Sequence, residues 1–430
     1  MRTKLIFILL SLFSLINAQK ALTVSDAINT ALKNNYDILG ARDDADIAKV
    51  NNTLGNAGML PKVAINGAGD YEKNNASQKF SDGTKSNSSN QNTTNLSAGA
   101  ELSWTLFDGG KMFVTKNKLN EIEVLGEIQF KAKVMETVYS VTAAYYDVVK
   151  EKQQLNSINE IIRYNKDRVK IADVGFNSGS LIKTDLLQAK IDLNEALESA
   201  ITQQYAIDTA KKTLNNLLGQ NAEEAFEVLD SIPLNYTPNK SDLLQKLNTS
   251  NTSILAFQKQ MDIAHLSLKE NQRAYSPILN FRGGYYLSRT VNSEGSTLEN
   301  QSLGPQVGGS ISIPLYTAGE TKRKINTARL ELKSAEYDLQ NVKLEVNAAL
   351  QNALADFENQ QSLLQIEKDN KELAKENLTI SLDRLRLGQT NSLEVHIAEE
   401  SYVQSCTRFI NFQYNLKIAE TRLKQLVAEL

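Results

Sequence analysis

The sequence predicts a mainly α-helical chain that also contributes to a membrane β-barrel, built from a unit of helix, two strands and long helical hairpin that occurs twice. Three observations predict this fold class. Apolar residues recur every three or four positions through residues 112–218, with one break at the glycine-containing stretch 175–179. Four shorter stretches alternate apolar and polar residues with period two. The order of these stretches is the same in both halves of the chain,.

Residues 1–18 have the pattern of a secretory signal peptide. Arg2 and Lys4 precede an apolar run at residues 5–16, and Ala18 supplies the small residue expected at a cleavage site,. The run is too short to span a bilayer. The alternative is a buried N-terminal helix, which the basic start and the polar end of the run disfavour. We therefore expect an exported chain.

The composition of the chain excludes several classes of protein. No later stretch approaches 18 consecutive apolar residues, so entry into a membrane would require strands closed into a barrel,. Cys406 is the single cysteine and lies within a helical pattern, so we expect neither a lipid anchor at the mature N-terminus nor a disulfide framework,. The net charge of -3 argues against nucleic acid as a partner,.

The first strand pair is predicted at about residues 62–72 and 96–107. In the second strand the apolar residues occupy the even positions: Leu96, Ala98, Ala100, Leu102, Trp104 and Leu106. This alternation is as long as a tilted strand needs to cross a bilayer, and it predicts that Leu102, Trp104 and Leu106 face lipid. The Asn/Ser-rich run at residues 73–95 is predicted to be a mobile, solvated loop.

The second half repeats this order. Pro61 and Gly67 return 216 positions later as Pro277 and Gly283, and Gly179 returns 209 positions later as Gly388. Strands are predicted at about residues 278–289 and 305–316, separated by a polar loop. The predicted divisions are a signal peptide at 1–18, a first repeat at 19–219 with its helical hairpin at 112–218, a linker at 220–240, and a second repeat at 241–430 with its hairpin at 320–428.

Lengths and strand number indicate several subunits around one axis. The arm over residues 112–177 would be on the order of 100 Å long at about 1.5 Å per residue. Its return arm is shorter, and the leading helix predicted over residues 23–59 makes up the difference, as the one over 241–275 does in the second half. Two short helices end to end would thus match one long helix. Four strands cannot close a barrel, since about eight is the usual minimum, so several subunits must share one.

These features together resemble the TolC family of outer-membrane efflux proteins. The motifs that carry the resemblance are Leu60-Pro61, Trp104-Thr105-Leu106-Phe107-Asp108-Gly109-Gly110, Ser312-Ile313-Pro314-Leu315-Tyr316 with Gly319, and the turns Phe176-Asn177-Ser178-Gly179 and Arg386-Leu387-Gly388. The resemblance covers nearly the whole mature chain. It implies a homotrimer that shares a 12-stranded β-barrel in outer-membrane lipid, continued by an α-helical barrel through the periplasm.

The resemblance also implies a function. Such a protein is a passive exit duct of a tripartite efflux or type I secretion system, and it is not an enzyme. An inner-membrane pump of the RND or ABC type supplies the energy, and a periplasmic adaptor docks on the hairpin turns around Gly175, Gly179 and Gly388. Multidrug efflux and protein secretion are both compatible with it. No cofactor or metal is expected.

The family resemblance places a gate near the same turns. Glu394 matches the position of an acid that forms a ring in the pore, and Asp185 matches a residue of the closing network. Three ring carboxylates would favour cations and divalent block. The alternative for Glu394 is an ordinary exposed helix glutamate. The chain departs from the family pattern at three positions, namely Leu385, Thr390 and Ile397. We therefore expect a different closing network that uses Arg384 or Arg386.

Two other classes of function compete with the duct. An enzyme is disfavoured because His265 and His396 each lie in a helical pattern without a cluster of metal ligands,. Gly110-Lys111 is not a phosphate-binding loop, since Met112 stands where that motif needs Ser or Thr,. An exported coiled-coil structural protein or periplasmic adaptor would explain the heptads. It would not explain four alternating strands delivered in two pairs.

Overall fold

The computed structural model describes residues 21–295 and 297–430, so the predicted signal peptide at residues 1–18 lies outside the described residues. The elements of the first half are α1 Val24–Asn34, α2 Tyr36–Asn51, β1 Lys62–Lys79, β2 Lys85–Phe107, α3 Lys111–Ser178 and α4 Lys183–Leu217. Those of the second half are α5 Lys240–Ser250, α6 Thr252–Gln272, β3 Ile278–Asn292, β4 Glu299–Ser312, α7 Glu320–Arg386 and α8 Ser392–Leu426. A short 3-10 helix, Arg273–Tyr275, follows α6.

The order of elements is the same in both halves, which confirms the predicted duplicated fold of helices and four strands. The long helices α3 and α7 contain 68 and 67 residues. The first hairpin, α3 with α4, and the second hairpin, α7 with α8, each reverse at a short turn. In the described part of the chain, no helix combines the length and the apolar character that crossing a membrane requires.

The described residues form two compact units. The first contains the residues up to Asp44 together with Ile128–Leu255 and Asn341–Leu430, and it includes both hairpin turns. Its core lies along the helices, where Val141, Tyr145 and Val148 of the predicted coiled-coil seam are fully buried. The second unit contains Ala45–Glu127 and Ala256–Gln340, and it includes the sheet.

The four strands form one antiparallel sheet in the order β1-β2-β3-β4. Residues that pair across neighbouring strands lie on the same face, and Leu102 pairs with Val63 and with Gly283. The register therefore collects apolar side chains on one face: Val63, Ile65, Ala98, Ala100, Leu102, Trp104, Phe281, Tyr285, Leu287, Leu303, Val307 and Ile311. The other face carries Lys62, Asn66, Ser97, Glu101, Ser103, Arg282, Ser288, Gln306 and Ser310.

The prediction of a mobile loop over residues 73–95 is wrong. β1 continues to Lys79 and β2 begins at Lys85, so most of the Asn/Ser-rich run at residues 73–95 is paired strand. Its polar side chains bond one another across the ladder: Ser77 donates to Asn87 at 2.6 Å and the Asn90 backbone N–H donates to Asn75 at 2.8 Å. A sequence with almost no apolar residues can thus continue a hairpin whose register is already set by the apolar residues elsewhere in the same two strands.

The second strand pair also differs from its predicted bounds. β3 extends to Asn292 and β4 begins at Glu299, which shortens the predicted polar loop. β4 ends at Ser312 instead of residue 316, because Pro314 has no N–H to donate to a ladder,.

The continuous leading helices predicted over residues 23–59 and 241–275 are each broken. The breaks fall at Asn35, between α1 and α2, and at Asn251, between α5 and α6. Both asparagines have extended backbone conformations with ψ of 121° and 120°. Their side chains cap the helix that follows, which a search for apolar periodicity does not detect.

Candidate functional site at the hairpin turns

The two hairpin turns have the same conformation. Gly179 and Gly388 have φ of +80° and +67°, a region that side chains other than glycine rarely adopt,. In the first turn the Ser180 N–H donates to the Gly175 carbonyl at 2.8 Å, and in the second the Gln389 N–H donates to the Arg384 carbonyl at 2.9 Å. The glycines therefore end both long helices in the same way.

Gly175 is required for a different reason, which is close packing. A Cβ atom added at this position would lie 2.6 Å from Cδ1 of Leu181. The Gly175 carbonyl also accepts a hydrogen bond from the Leu181 N–H at 3.0 Å. This glycine lets the chain fold back directly on α3.

The predicted gate residue Glu394 lies in the first turn of α8 and is ion-paired. Arg384 Nη1 lies 2.5 Å from Glu394 Oε1, and the Thr390 hydroxyl donates to the other carboxylate oxygen. The Glu394 N–H donates to the Asn391 side chain at 3.1 Å, which caps the helix,. Arg384 and Thr390 thus bind the acid from both sides of the second turn.

Asp185 has a local role in the single chain. Its carboxylate accepts a hydrogen bond from the Ile182 N–H at 3.4 Å, near the start of α4, where an acid suits the helix dipole,. Within the described residues, no hydrogen bond or ion pair connects Asp185 with Glu394. Of the departing positions, Leu385 is buried in the helical core and Ile397 is exposed.

A second group of polar residues, which sequence reasoning missed, is buried further along the hairpins. We call Asn165, Arg168, Asp192, Ser392, His396 and Glu399 the Arg168 cluster. Arg168 is 1% exposed, and its Nη1 lies 2.6 Å from Asp192 Oδ2 and 3.4 Å from Glu399 Oε2. Its Nη2 donates to the Ser392 hydroxyl at 2.8 Å and to the Ser392 carbonyl at 3.2 Å.

The two carboxylates of the cluster have further partners. Asn165 donates to Glu399 Oε1 at 2.5 Å, and His396 Nδ1 lies 3.4 Å from Asp192 Oδ2. Burial raises the pKa of Glu399, although the Asn165 hydrogen bond and the Arg168 charge oppose this effect,. The charged groups of Arg168, Asp192 and Glu399 are therefore paired with little access to water, whereas the His396 side chain is 37% exposed.

A sequence signal for this cluster exists. Ile158, Ile161, Asn165, Arg168 and Ala172 follow one another at spacings of three and four, which is a second heptad seam on α3,. The third and fourth positions of this seam, Asn165 and Arg168, are polar. Polar residues at core positions of a coiled coil specify particular partners, so the interruption predicts a buried polar contact.

Within the described residues, no group of histidine, cysteine or acidic side chains has the geometry to hold a metal ion.

Comparison with known proteins identifies the family. The model of the family described as outer membrane efflux protein matches residues 27–220 and 243–429, which is most of the chain and both of its repeats. The chain belongs to this family. It is the TolC family that the sequence motifs indicated.

Individual relatives are distant but extend over most of the chain. Outer membrane efflux protein BepC of Brucella suis is 21% identical over 408 residues, which cover 93% of this chain and 84% of BepC. Proteases secretion protein PrtF of Dickeya chrysanthemi is 20% identical and covers 96% of this chain and 90% of PrtF. The crystal structure of VceC from Vibrio cholerae has the same fold, with a TM-score of 0.76 at 16% identity over 94% of this chain and 95% of VceC.

Membership in the outer membrane efflux protein family settles the class of function. The protein is an outer-membrane channel that extends into the periplasm, serves tripartite efflux or type I secretion, and is not an enzyme. The alternative of an exported coiled-coil structural or adaptor protein is therefore wrong. The family also implies trimeric assembly within an efflux system.

Proposed function

We propose that three copies of this chain form a passive exit duct, which receives substrates from an inner-membrane pump through a periplasmic adaptor. The observation that carries this proposal is the register of the sheet, which puts apolar side chains on one face and polar ones on the other. A strand that contacts lipid outside and water inside requires this alternation. The apolar face is exposed in the single chain, with Ile65 at 85% and Val307 at 80%.

The edges of the sheet support a barrel that several copies share. β1 and β4 each pair with one neighbour only in the described chain. Unpaired edges in a bilayer leave backbone groups without partners, at a cost of several kcal/mol each. We infer that β4 of one copy pairs with β1 of the next, so that three sheets close a 12-stranded barrel.

The surface of the hairpin turns is suited to binding a periplasmic adaptor, because it exposes apolar side chains beside a groove. Val174, Ile182 and Leu387 expose 68%, 67% and 71% of their surface around the turns. A groove of about 530 Å³ lies between the two turns, lined in part by Leu181 and Leu385. We infer that the adaptor binds here, at Gly175, Gly179, Gly388 and their neighbours.

Glu394 and Asp185 remain our proposed gate and selectivity residues. Three Glu394 carboxylates around the axis would attract cations and divalent ions. Arg384 partly neutralises each carboxylate, and Arg386 pairs with Asp383 at 2.9 Å in the same way. We therefore infer a ring that favours cations more weakly than three unpaired acids would.

Detergent extraction of outer membranes tests the proposal. The expected result is a species of three chains that resists dissociation in unheated gels, separates on heating and forms ion-conducting pores in planar bilayers. The heated sample is the control for monomer mobility. A soluble monomer or dimer without pore activity would contradict the shared barrel.

A further inference from the structure

The end of the sheet that joins the long helices has an aromatic border on its apolar face. From this end β2 leads into α3 and β4 leads into α7. On the apolar face Trp104 pairs with Phe281, and Phe107 pairs with Leu279. Aromatic residues collect where a membrane barrel meets the headgroup layer. Because the helices extend into the periplasm, this border lies at the periplasmic leaflet of the outer membrane.

Exposed cations lie beside this border on three of the connecting segments. Lys111 is the first residue of α3, Arg273 precedes β3, and Lys322 and Arg323 lie in the first turn of α7. We call these four residues the basic collar. The connections that carry Lys111 and Arg273 pack against each other, since a Cβ atom added at Gly109 would lie 3.2 Å from the Arg273 carbonyl oxygen. The collar therefore follows the border from β2 to β4.

Lys111 has only a weak partner within the chain. Its Nζ lies 4.0 Å from Glu270 Oε1, and its side chain is 50% exposed. Glu270 binds Lys118 more closely, and it also accepts a hydrogen bond from the Thr115 hydroxyl at 2.9 Å. The carboxylate is thus satisfied by other groups, and the charge of Lys111 remains available.

The other three cations of the collar are not paired at all in the described part of the chain. No ion pair there involves Arg273, Lys322 or Arg323. Glu320, the acid in the same turn of α7, pairs with Lys324 at 2.7 Å. The helix dipole disfavours cations in a first turn, so the stability of α7 does not explain them. A negatively charged partner outside the chain does.

We propose that the basic collar binds the headgroups of anionic phospholipids, such as phosphatidylglycerol, in the periplasmic leaflet of the outer membrane. The collar has the opposite charge to these headgroups, and it continues the lipid-facing surface at the point where acyl chains end and headgroups begin. A lysine or arginine beside an anionic lipid surface strengthens the association by about 5-fold. This inference rests on the proposed function, because the lipid-facing surface belongs to the proposed barrel.

Fluorescence of Trp104 tests the collar, because Trp104 is the single tryptophan of the chain and lies in the border. The purified trimer is reconstituted in vesicles of phosphatidylcholine that contain an equal fraction of brominated phosphatidylglycerol or brominated phosphatidylcholine. Brominated acyl chains quench a tryptophan that they contact. We expect phosphatidylglycerol to be preferred at Trp104 by about 5-fold. The preference should weaken from about 0.1 M to about 1 M salt, since the screening length falls from about 10 Å to about 3 Å.

Two double variants locate the preference. Lys111→Gln/Arg273→Gln removes the cations next to β2 and should bring the preference close to one. Lys322→Gln/Arg323→Gln should reduce it less, because these residues follow β4, whereas Trp104 belongs to β2. The matched control is Lys343→Gln, because Lys343 is exposed on α7 about 30 Å beyond Arg323,. It should match the wild type.

The outcomes separate the collar from the proposed function. If the wild type forms trimers but shows no preference, or a preference that salt does not change, the collar is wrong and the duct stands. The same holds if Lys111→Gln/Arg273→Gln keeps the wild-type preference.

A role of the collar in folding has a different signature. If both double variants fail to form trimers even in phosphatidylcholine, these cations serve folding or subunit contact, which contradicts a lipid site. If the wild type forms neither trimers nor pores, or if neither lipid quenches Trp104, the proposed barrel fails and the collar fails with it.

Discussion

Asn35 and Asn251, 216 residues apart, make the same three hydrogen bonds. The Asn35 amide donates to the Leu217 carbonyl at 2.8 Å, and the Asn251 amide donates to the Leu426 carbonyl at 2.8 Å. Each side-chain oxygen accepts two backbone N–H groups at the start of the next helix. One residue in each repeat thus caps α2 or α6 and binds the last residue of α4 or α8.

We expect Asn35→Ala and Asn251→Ala to lower stability by similar amounts. Loss of a helix N-cap costs about 0.5–2 kcal/mol, and the released carbonyl at the end of the return helix adds to this. Asn34→Ala is the control, since Asn34 is the exposed neighbour at the end of α1. Apparent melting temperatures of the trimer in detergent measure the effect. If Asn35→Ala had the same melting temperature as Asn34→Ala, the capping role of Asn35 would be contradicted.

The architecture was predictable because it rests on periodicity. Period-two alternation found the four strands, and spacing of three and four found the long helices. The breaks at Asn35 and Asn251 were missed because one side chain decides them, and apolar spacing continues across both positions. The 216-residue repeat does contain the signal, since both copies have asparagine at this point. The partners of Glu394 were only partly predictable, since Arg384 reaches it across a turn.

We expect Leu102→Arg to impair barrel assembly more than an arginine on the opposite face does. Leu102 pairs with Val63 and Gly283 on the apolar face. An arginine facing lipid near the bilayer midplane costs about 2–4 kcal/mol. Ser103→Arg should be better tolerated, although Ser103 lies between Lys62 and Arg282.

Lys62 and Arg282 would repel an arginine at position 103, so a second control on the polar face is useful. Ser97→Arg places the charge on the same polar face opposite Ala68 and Ser288, away from other cations. The yield of heat-modifiable trimer in outer membranes measures assembly. Equal losses for Leu102→Arg and Ser97→Arg would contradict the assignment of the two faces.

We expect Glu394→Ala and Arg384→Ala to change ion selectivity in opposite directions. Removing Glu394 removes the acid, so cation selectivity and block by divalent ions should weaken. Removing Arg384 leaves Glu394 without its counter-charge, so cation selectivity and block by divalent ions should both strengthen. Reversal potentials across a salt gradient measure selectivity. Arg386→Ala is the control, because its partner is Asp383 instead of Glu394. An unchanged profile in Glu394→Ala would remove this residue from the gate.

The raised pKa of Glu399 predicts a pH-dependent effect of Glu399→Gln on stability. Because burial raises the pKa of Glu399 above its usual 4.5, the folded chain binds this proton more tightly than the unfolded chain does,. The resulting stabilisation is complete below the unfolded pKa and is lost as the pH rises through the folded pKa. Glutamine cannot ionise and can still accept the hydrogen bond from Asn165.

The melting temperature of Glu399→Gln relative to the wild type should therefore rise as the pH increases from about 4.5 through the raised pKa of Glu399. The groups that face this carboxylate are Arg168, Asp192 and His396, and they are present in both proteins, so the comparison isolates the Glu399 side chain. Glu400→Gln is the control, because Glu400 is the exposed neighbour on α8. A relative melting temperature that falls over the same interval would mean that the Arg168 charge outweighs burial, and that Glu399 is ionised more readily in the folded chain than in the unfolded one.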